Sequence, residues 1–249
     1  ELFDSNDALN RFPLLGWLVW YLVISLLGWL VYPVLRIAMS GLPDRGYPLG
    51  KIAGLLFLSW GVWLAGSYGI SFERTTITIV FVILALVGGA AAFWQRESLI
   101  EEIRERKQYY LRVELIGLAF FVFFSLIRIG NPDLWHPAFG GEKPMDFAYF
   151  NAVLKSTIFP PYNPWFSGGY INYYYYGFVL VGVPTKWLGI VPSIAYNLIL
   201  PTMFAVFALG AFSAGWNIAA HFHKEVNQSA DEKAGWTLLG KPLRVGLAS

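Results

Sequence analysis

The sequence contains no cysteine and few charged residues. The absence of Cys among its 249 residues excludes disulfide bonds, thiolate nucleophiles, Cys-ligated zinc and iron–sulfur clusters. Asp, Glu, Lys and Arg make up 14% of the chain, whereas an average soluble domain has about 25%. The net charge of +2 provides no basic field of the kind that nucleic-acid binding requires.

Apolar residues dominate what remains. The chain is 56% hydrophobic and 18% aromatic, so lipid must solvate much of its side-chain surface. Several long apolar runs approach the length of about 20 residues that a helix needs to cross a bilayer. The sequence therefore predicts an all-α integral membrane protein with about six transmembrane helices, at about 13–39, 49–70, 75–94, 113–129, 174–190 and 193–220.

A charged stretch at 95–112 divides the chain. Its alternating carboxylates and cations predict an exposed helix between spans. We expect an N-terminal three-span region at 1–112 and a second module at 113–249. Apolar residues return from Trp236 onward, which favours an incomplete seventh span and a longer parent protein. The five cations of the linker predict that it is cytoplasmic, so the loop at 131–173 would lie on the outer face of the plasma membrane.

The long outer loop is unusual because it is rich in aromatic residues. Loops of this length are usually functional or disordered, and abundant Trp, Phe and Tyr argue against disorder. Pro144 and Asp146 are typical of a helix start. Apolar residues then recur at helical spacing up to Lys155, which predicts an amphipathic helix lying on the outer membrane surface.

Three carboxylates lie within fourteen residues of this loop: Asp133, Glu142 and Asp146. Such groups at an apolar boundary can act as a base, orient a hydroxyl nucleophile or bind a divalent cation such as Mg²⁺ or Mn²⁺. The spacing leaves structural roles open as well: a helix cap for Asp146, a turn for Asp133 and solvated charge for Glu142. The neighbouring residues Arg128, His136 and Lys143 are candidate substrate contacts.

Four consecutive tyrosines follow the loop. An aromatic belt at the membrane interface accounts for two of them, but four in a row after Asn172 exceed what a belt needs. Aromatic faces and phenol hydroxyls also form platforms for sugars. Further candidate substrate contacts are therefore Trp165, Asn172, Tyr173, Tyr174, Tyr175 and Tyr176.

The segments Gly140-Gly-Glu-Lys-Pro-Met-Asp-Phe-Ala-Tyr-Phe-Asn, Phe159-Pro-Pro-Tyr-Asn-Pro-Trp-Phe-Ser-Gly-Gly and Ile171-Asn-Tyr-Tyr-Tyr-Tyr-Gly resemble the YYY membrane protein family over about 128–180. That family is similar to the GT-C superfamily of membrane glycosyltransferases, which use polyprenyl-phosphate sugars and place acidic residues on the first long outer loop. The resemblance implies that Asp146 is the loop acid and Glu142 a second catalytic candidate, with any metal held by these two carboxylates.

The sequence thus supports three hypotheses. The first is a GT-C-like glycosyltransferase that transfers sugar from a polyprenyl-phosphate donor at the outer face. The second is a non-catalytic structural subunit, whose small-residue faces contact partner membrane subunits. The third is a transporter, which the scarcity of charge within the spans disfavours.

Overall fold

The computed structural model describes residues 3–134 and 141–238, with side chains described up to residue 222. The described chain is helical and contains no strand, which confirms the predicted all-α membrane fold. Its α-helices are α1 Ala8–Arg11, α2 Pro13–Ala38, α3 Gly50–Ser67, α4 Arg74–Trp94, α5 Arg96–Glu105, α6 Lys107–Gly130, α7 Lys143–Lys155, α8 Tyr175–Leu188 and α9 Pro192–Leu238. A 3₁₀ turn, Tyr47–Leu49, leads into α3.

Five helices within the described residues are long and apolar enough to cross a membrane, one fewer than the sequence predicts. They are α2, α3 with its 3₁₀ turn, α4, α6 and the part of α9 up to Phe222. The predicted span at about 174–190 is instead the 14-residue helix α8. Fourteen residues reach about 21 Å, which is less than the hydrocarbon thickness of about 30 Å.

Both ends of α8 are attached to the same end of the bundle. Near its start, the Tyr175 hydroxyl accepts a hydrogen bond from Trp63 Nε1 (2.9 Å) close to the end of α3. Near its end, the carbonyl of Lys186 accepts from Arg74 Nε (3.2 Å) at the start of α4. Because α3 ends and α4 begins at one side of the bundle, α8 enters and leaves on that side without crossing.

The predicted helix in the long loop is present as α7, but its apolar face does not rest on lipid. Phe150, Val153 and Leu154 are almost completely buried, and α7 contacts α8 and α9. At Gly182 of α8, a β-carbon would contact the side chains of Val153 and Leu154. The two helices α7 and α8 therefore cover one end of the bundle, which we call the α7–α8 end.

Small residues bring α2 and α3 together. A β-carbon at Gly54 would lie 2.6 Å from the Leu27 carbonyl oxygen, and one at Gly50 would lie 3.0 Å from that of Gly28. These glycines permit backbone contact of the kind found at membrane helix interfaces. The small-residue face at Gly50 and Gly54 thus serves packing within the chain, although the second hypothesis assigned such faces to partner subunits.

The opposite end, where α5 lies, is held by a buried carboxylate. Glu102 accepts hydrogen bonds from Arg36 Nε (2.8 Å), Arg45 (2.6 Å) and the hydroxyls of Tyr32 and Tyr110. Burial alone raises the pKa of Glu102, but the Arg36 and Tyr110 hydrogen bonds and the charge of Arg45 lower it below its ordinary value. The predicted linker helix is therefore fixed to α2 and α6 through an ionised side chain.

The C-terminal stretch that predicted a seventh span falls mainly outside the described residues. The backbone of α9 continues to Leu238, and residues 239–249 are not described. The division of the chain at residue 112 stays a prediction.

Candidate functional site

A cavity of about 640 Å³ opens at the α7–α8 end, between the first turns of α2, the last turns of α6 and the first turns of α9. Its walls are mostly apolar. Leu14 of α2 and Leu126 and Ile129 of α6 line it and are also exposed on the outer surface of the bundle. Because exposed apolar side chains of spans face lipid, the cavity communicates with the hydrocarbon at its rim.

One cation lies in the cavity wall. The side chain of Arg128 is buried, donating a hydrogen bond from Nε to Asn197 Oδ1 (2.8 Å) and one to the carbonyl of Asp133 (3.3 Å). Asn197 is itself held by hydrogen bonds to the carbonyls of Ser193 and Pro132. A planar guanidinium beside an apolar cavity is suited to a phosphate whose lipid chain occupies the apolar space.

The predicted acid lies in the first turn of α7. Asp146 donates its backbone N–H to the Glu142 carbonyl (3.0 Å), so Glu142 occupies the N-cap position and Asp146 does not cap the helix. The side chain of Asp146 is partly buried, whereas that of Glu142 is exposed. Burial, and then the charge of Glu142, raise the pKa of Asp146 above its ordinary value.

Consecutive residues of α9 connect the acid to the cation. Tyr196 packs its ring against Phe147 and Phe150 of α7, with ring centroids 5.8 and 6.2 Å apart. It lies within electrostatic range of both Asp146 and Arg128. The next residue, Asn197, holds Arg128. The start of α9 therefore contacts Arg128 through Asn197 and α7, the helix of Asp146, through Tyr196, although Asp146 does not line the cavity itself.

The tyrosine run divides into two halves. The side chains of Tyr173 and Tyr174 are exposed, and their rings lie 4.1 Å apart. Slight desolvation, and then the charges of Glu142 and Asp146, raise the pKa of Tyr174 above its ordinary value. Its φ of 28° is uncommon for a residue other than glycine, and such strain is concentrated at functional sites.

The second half of the run faces inward. Tyr175 accepts the hydrogen bond from Trp63, and the ring of Tyr176 packs edge-on against the same indole. These two tyrosines attach the start of α8 to α3 and are half-buried, whereas Tyr173 and Tyr174 are exposed. A substrate contact by any of the four stays a prediction.

The remaining predicted site residues are dispersed. Lys143 begins α7, while Asp133 contributes its carbonyl to Arg128. Trp165 and Asn172 are exposed, and His136 lies outside the described residues. No described group of three His, Cys, Asp or Glu side chains is arranged to hold a metal ion. Two carboxylates such as Asp146 and Glu142 can bind Mg²⁺ only together with water and phosphate oxygens, so a metal at this position stays a prediction.

Sequence reasoning missed Tyr196 and Asn197. Both lie in the apolar run that predicts the last span. An amide within a predicted span is itself a signal, because an unpaired polar group in hydrocarbon is costly and is usually functional or hydrogen-bonded. Their relation to Arg128 and Asp146 depends on helix packing, which no local pattern reveals.

The fold and this site define a multi-pass helical membrane protein. The chain belongs to the family described as "Uncharacterized membrane protein (DUF2298)", which matches residues 57–247. It is also similar to a membrane-associated transporter protein of Mus musculus, with 25% identity over 88 residues. That match covers 35% of this chain and spans only 15% of the length of the mouse protein. No solved structure matches the chain.

Proposed function

We propose that the α7–α8 end is the substrate-binding end of a membrane glycosyltransferase that takes its sugar from a polyprenyl-phosphate donor. The observation that carries this proposal is the arrangement around α9: a buried Arg128 in an apolar cavity on one side, and a partly buried Asp146 on the other. The resemblance of 128–180 to GT-C-like proteins supports the same assignment.

In this proposal the cavity takes the isoprenoid chain from the lipid side, and Arg128 binds the phosphate. The oxygen of the acceptor hydroxyl forms a bond to the anomeric carbon of the sugar, and Asp146 accepts the proton that this hydroxyl loses. The bond between that carbon and the phosphate oxygen breaks, and the lipid phosphate leaves with the electron pair. The raised pKa of Asp146 suits a general base, because proton transfer is most efficient when the pKa approaches the operating pH.

The experiment measures transfer of radiolabelled sugar from a synthetic polyprenyl-phosphate sugar in vesicles that contain the full chain. Asp146→Asn should lower the rate about 10²- to 10⁴-fold, the usual contribution of a general base. Arg128→Met should weaken donor binding instead. Glu97→Gln at the opposite end, where the carboxylate is exposed, is the matched control and should leave transfer unchanged. Full transfer activity in a folded Asp146→Asn variant would overturn the proposal.

We further propose that the α7–α8 end faces the outside of the plasma membrane. Within the first 222 residues, eight Lys and Arg residues lie at the α5 end and six at the α7–α8 end. The positive-inside rule then puts α5 in the cytoplasm. Because the native chain has no Cys, single variants Lys155→Cys and Arg104→Cys test this directly with a membrane-impermeant thiol reagent in intact cells. Only Lys155→Cys should be labelled, and the reverse result contradicts this orientation.

Transport is a second candidate, favoured by one observation. Lys51 and Glu114, both within candidate spans, form an ion pair of 2.6 Å in which Lys51 is buried. The pair lies near the α5 end, in the first turn of α3 and about two turns into α6. Buried ionisable residues within spans often mark a transport path, and the partial similarity to the mouse transporter protein agrees with this. The test is uptake of a solute into vesicles that contain the full chain. Transport is favoured over glycosyl transfer if Glu114→Gln abolishes this uptake and Asp146→Asn leaves it unchanged.

A further inference from the structure

A small hairpin projects from the segment between α7 and α8. Ile171 N–H donates to the Pro161 carbonyl (2.8 Å), and Asn163 N–H donates to the Gly169 carbonyl (2.9 Å). Gly168 has φ of 77°, a conformation that glycine adopts without steric cost. We call residues 161–171 the aromatic hairpin.

The aromatic hairpin directs its rings outward. Tyr162, Trp165, Phe166 and Tyr170 are each at least half exposed, at 66%, 63%, 68% and 51%. Tyr162 and Tyr170 stack across the two arms of the hairpin, with ring centroids 4.8 Å apart. No charged residue occurs between Lys155 and Lys186. Four exposed rings without a neighbouring charge are costly in bulk water, so this surface is suited to another environment.

The base of the hairpin is attached to the end of a span. Phe159 N–H donates to the Gly66 carbonyl (3.2 Å), and Tyr175 is bonded to Trp63. Both contacts lie in the last turns of α3, where Trp60 and Tyr68 also point outward. The base of the hairpin therefore lies at the end of α3, which is a candidate membrane span.

We propose that the aromatic hairpin inserts its tip, Trp165 and Phe166, into the interfacial layer of the bilayer beside α3. Trp and Tyr rings concentrate in this layer because their apolar bodies and polar tips suit its gradient of polarity. The lack of charge over this segment removes the largest cost of insertion. This inference does not depend on glycosyl transfer.

The test uses the absence of native Cys. Trp165→Cys and Phe166→Cys, each labelled with a fluorophore, are reconstituted as the full chain in phosphatidylcholine–phosphatidylglycerol vesicles. Fluorescence is then quenched by iodide in water or by a nitroxide attached near the lipid headgroup. Leu86→Cys, exposed on α4, is the lipid control, and Lys155→Cys, exposed at the end of α7, is the water control.

Insertion predicts that the labels at 165 and 166 lose iodide quenching relative to the label at Lys155 and are quenched strongly by the lipid nitroxide. Iodide quenching equal to that at Lys155 overturns the proposal. So does protection from both quenchers, which would mean that the tip is covered by protein. The two tip positions are independent tests, because a failure of one variant to fold leaves the other to be measured.

Discussion

Arg128 Nε donates a hydrogen bond of 2.8 Å to Asn197 Oδ1, and this bond joins the end of α6 to the first turns of α9. Both side chains line the same cavity. The bond holds the guanidinium of Arg128 at the cavity wall, the position in which we propose that it binds a lipid phosphate. The position of this charge is therefore set by an amide from a helix almost seventy residues further along the chain.

Replacing Asn197 by Leu should destabilise the protein, because it removes an acceptor from a buried charged donor. Hydrogen bonds to charged groups are worth about 1.5–3 kcal/mol. A double-mutant cycle with Arg128→Met, measured by thermal unfolding in detergent, should show a coupling of this order. Asn151→Ala is the control, since that amide donates to the Phe147 carbonyl within its own helix. Additive effects of the two variants would contradict the pairing.

Lys186 should make the stability of the protein depend on pH. Its amine donates to the Ser156 carbonyl (3.1 Å) and lies over the ring of Phe72, and burial lowers its pKa from 10.5 to about 8. Below about pH 8 the buried amine of Lys186 is charged, and the full free-energy cost of burying that charge destabilises the folded protein. Between about pH 8 and 10.5 the unfolded chain binds the proton and the folded chain does not, so stability rises, by on the order of 3 kcal/mol.

Lys186→Met should abolish this rise of stability with pH, even if the substitution also changes stability by an amount that does not depend on pH. The readout is the slope of the unfolding midpoint between pH 8 and 10.5. Lys155→Met, at an exposed position nearby, should keep the wild-type slope. An unchanged slope in Lys186→Met would show that the buried amine is not the group responsible.

The adjacent glycines of α4 should respond in opposite directions. At Gly88 a β-carbon would overlap the carbonyl oxygen of Leu30, whereas at Gly89 it would meet nothing within 4 Å. Gly88→Ala should therefore push α4 away from α2 at a cost of about 1–3 kcal/mol. Gly89→Ala should be neutral or stabilise the helix by up to about 1 kcal/mol. Thermal unfolding of the two variants measures the difference, and equal effects would mean that α2 and α4 do not meet there.

Glu102→Gln should be among the most disruptive single substitutions. It would leave Arg36 and Arg45 without their shared carboxylate, and breaking a buried ion pair costs about 3–5 kcal/mol. The preceding residue, Glu101, is exposed, so Glu101→Gln should change stability by less than about 0.5 kcal/mol. A Glu102→Gln variant as stable as Glu101→Gln would show that α5 is not held through this carboxylate.

Local patterns predicted the helices well where they were long or had a clear start. The apolar runs of α2, α4 and α6 exceed what a soluble core requires, so their membrane assignment follows from length and composition alone. Pro144 and Asp146 likewise marked the start of α7. Because these signals are local, they do not depend on what the helices contact.

The same reasoning failed at α8, and the cause is specific. Residues 174–190 are apolar enough for a span, and hydropathy does not distinguish lipid from protein as the apolar surroundings. In the fold, Val179 and Val183 are buried against other helices, and hydrogen bonds from Trp63 and Arg74 hold both ends of α8 at one side. One crossing is therefore lost, which places Lys186 on the same side as Arg74.

The sequence by itself determined that the protein is helical and lies in a membrane, because a chain so poor in charge and so rich in long apolar runs cannot hide its surface from water. It also supplied the candidate acid, Asp146, and the candidate cation, Arg128. Only the tertiary structure decided that Asn197 holds Arg128, that Tyr196 packs against α7, that Tyr173 and Tyr174 are exposed, and that Tyr175 and Tyr176 pack against Trp63. Those relations depend on the contacts of α9 and α3 with segments distant in the chain, and no local period encodes such contacts.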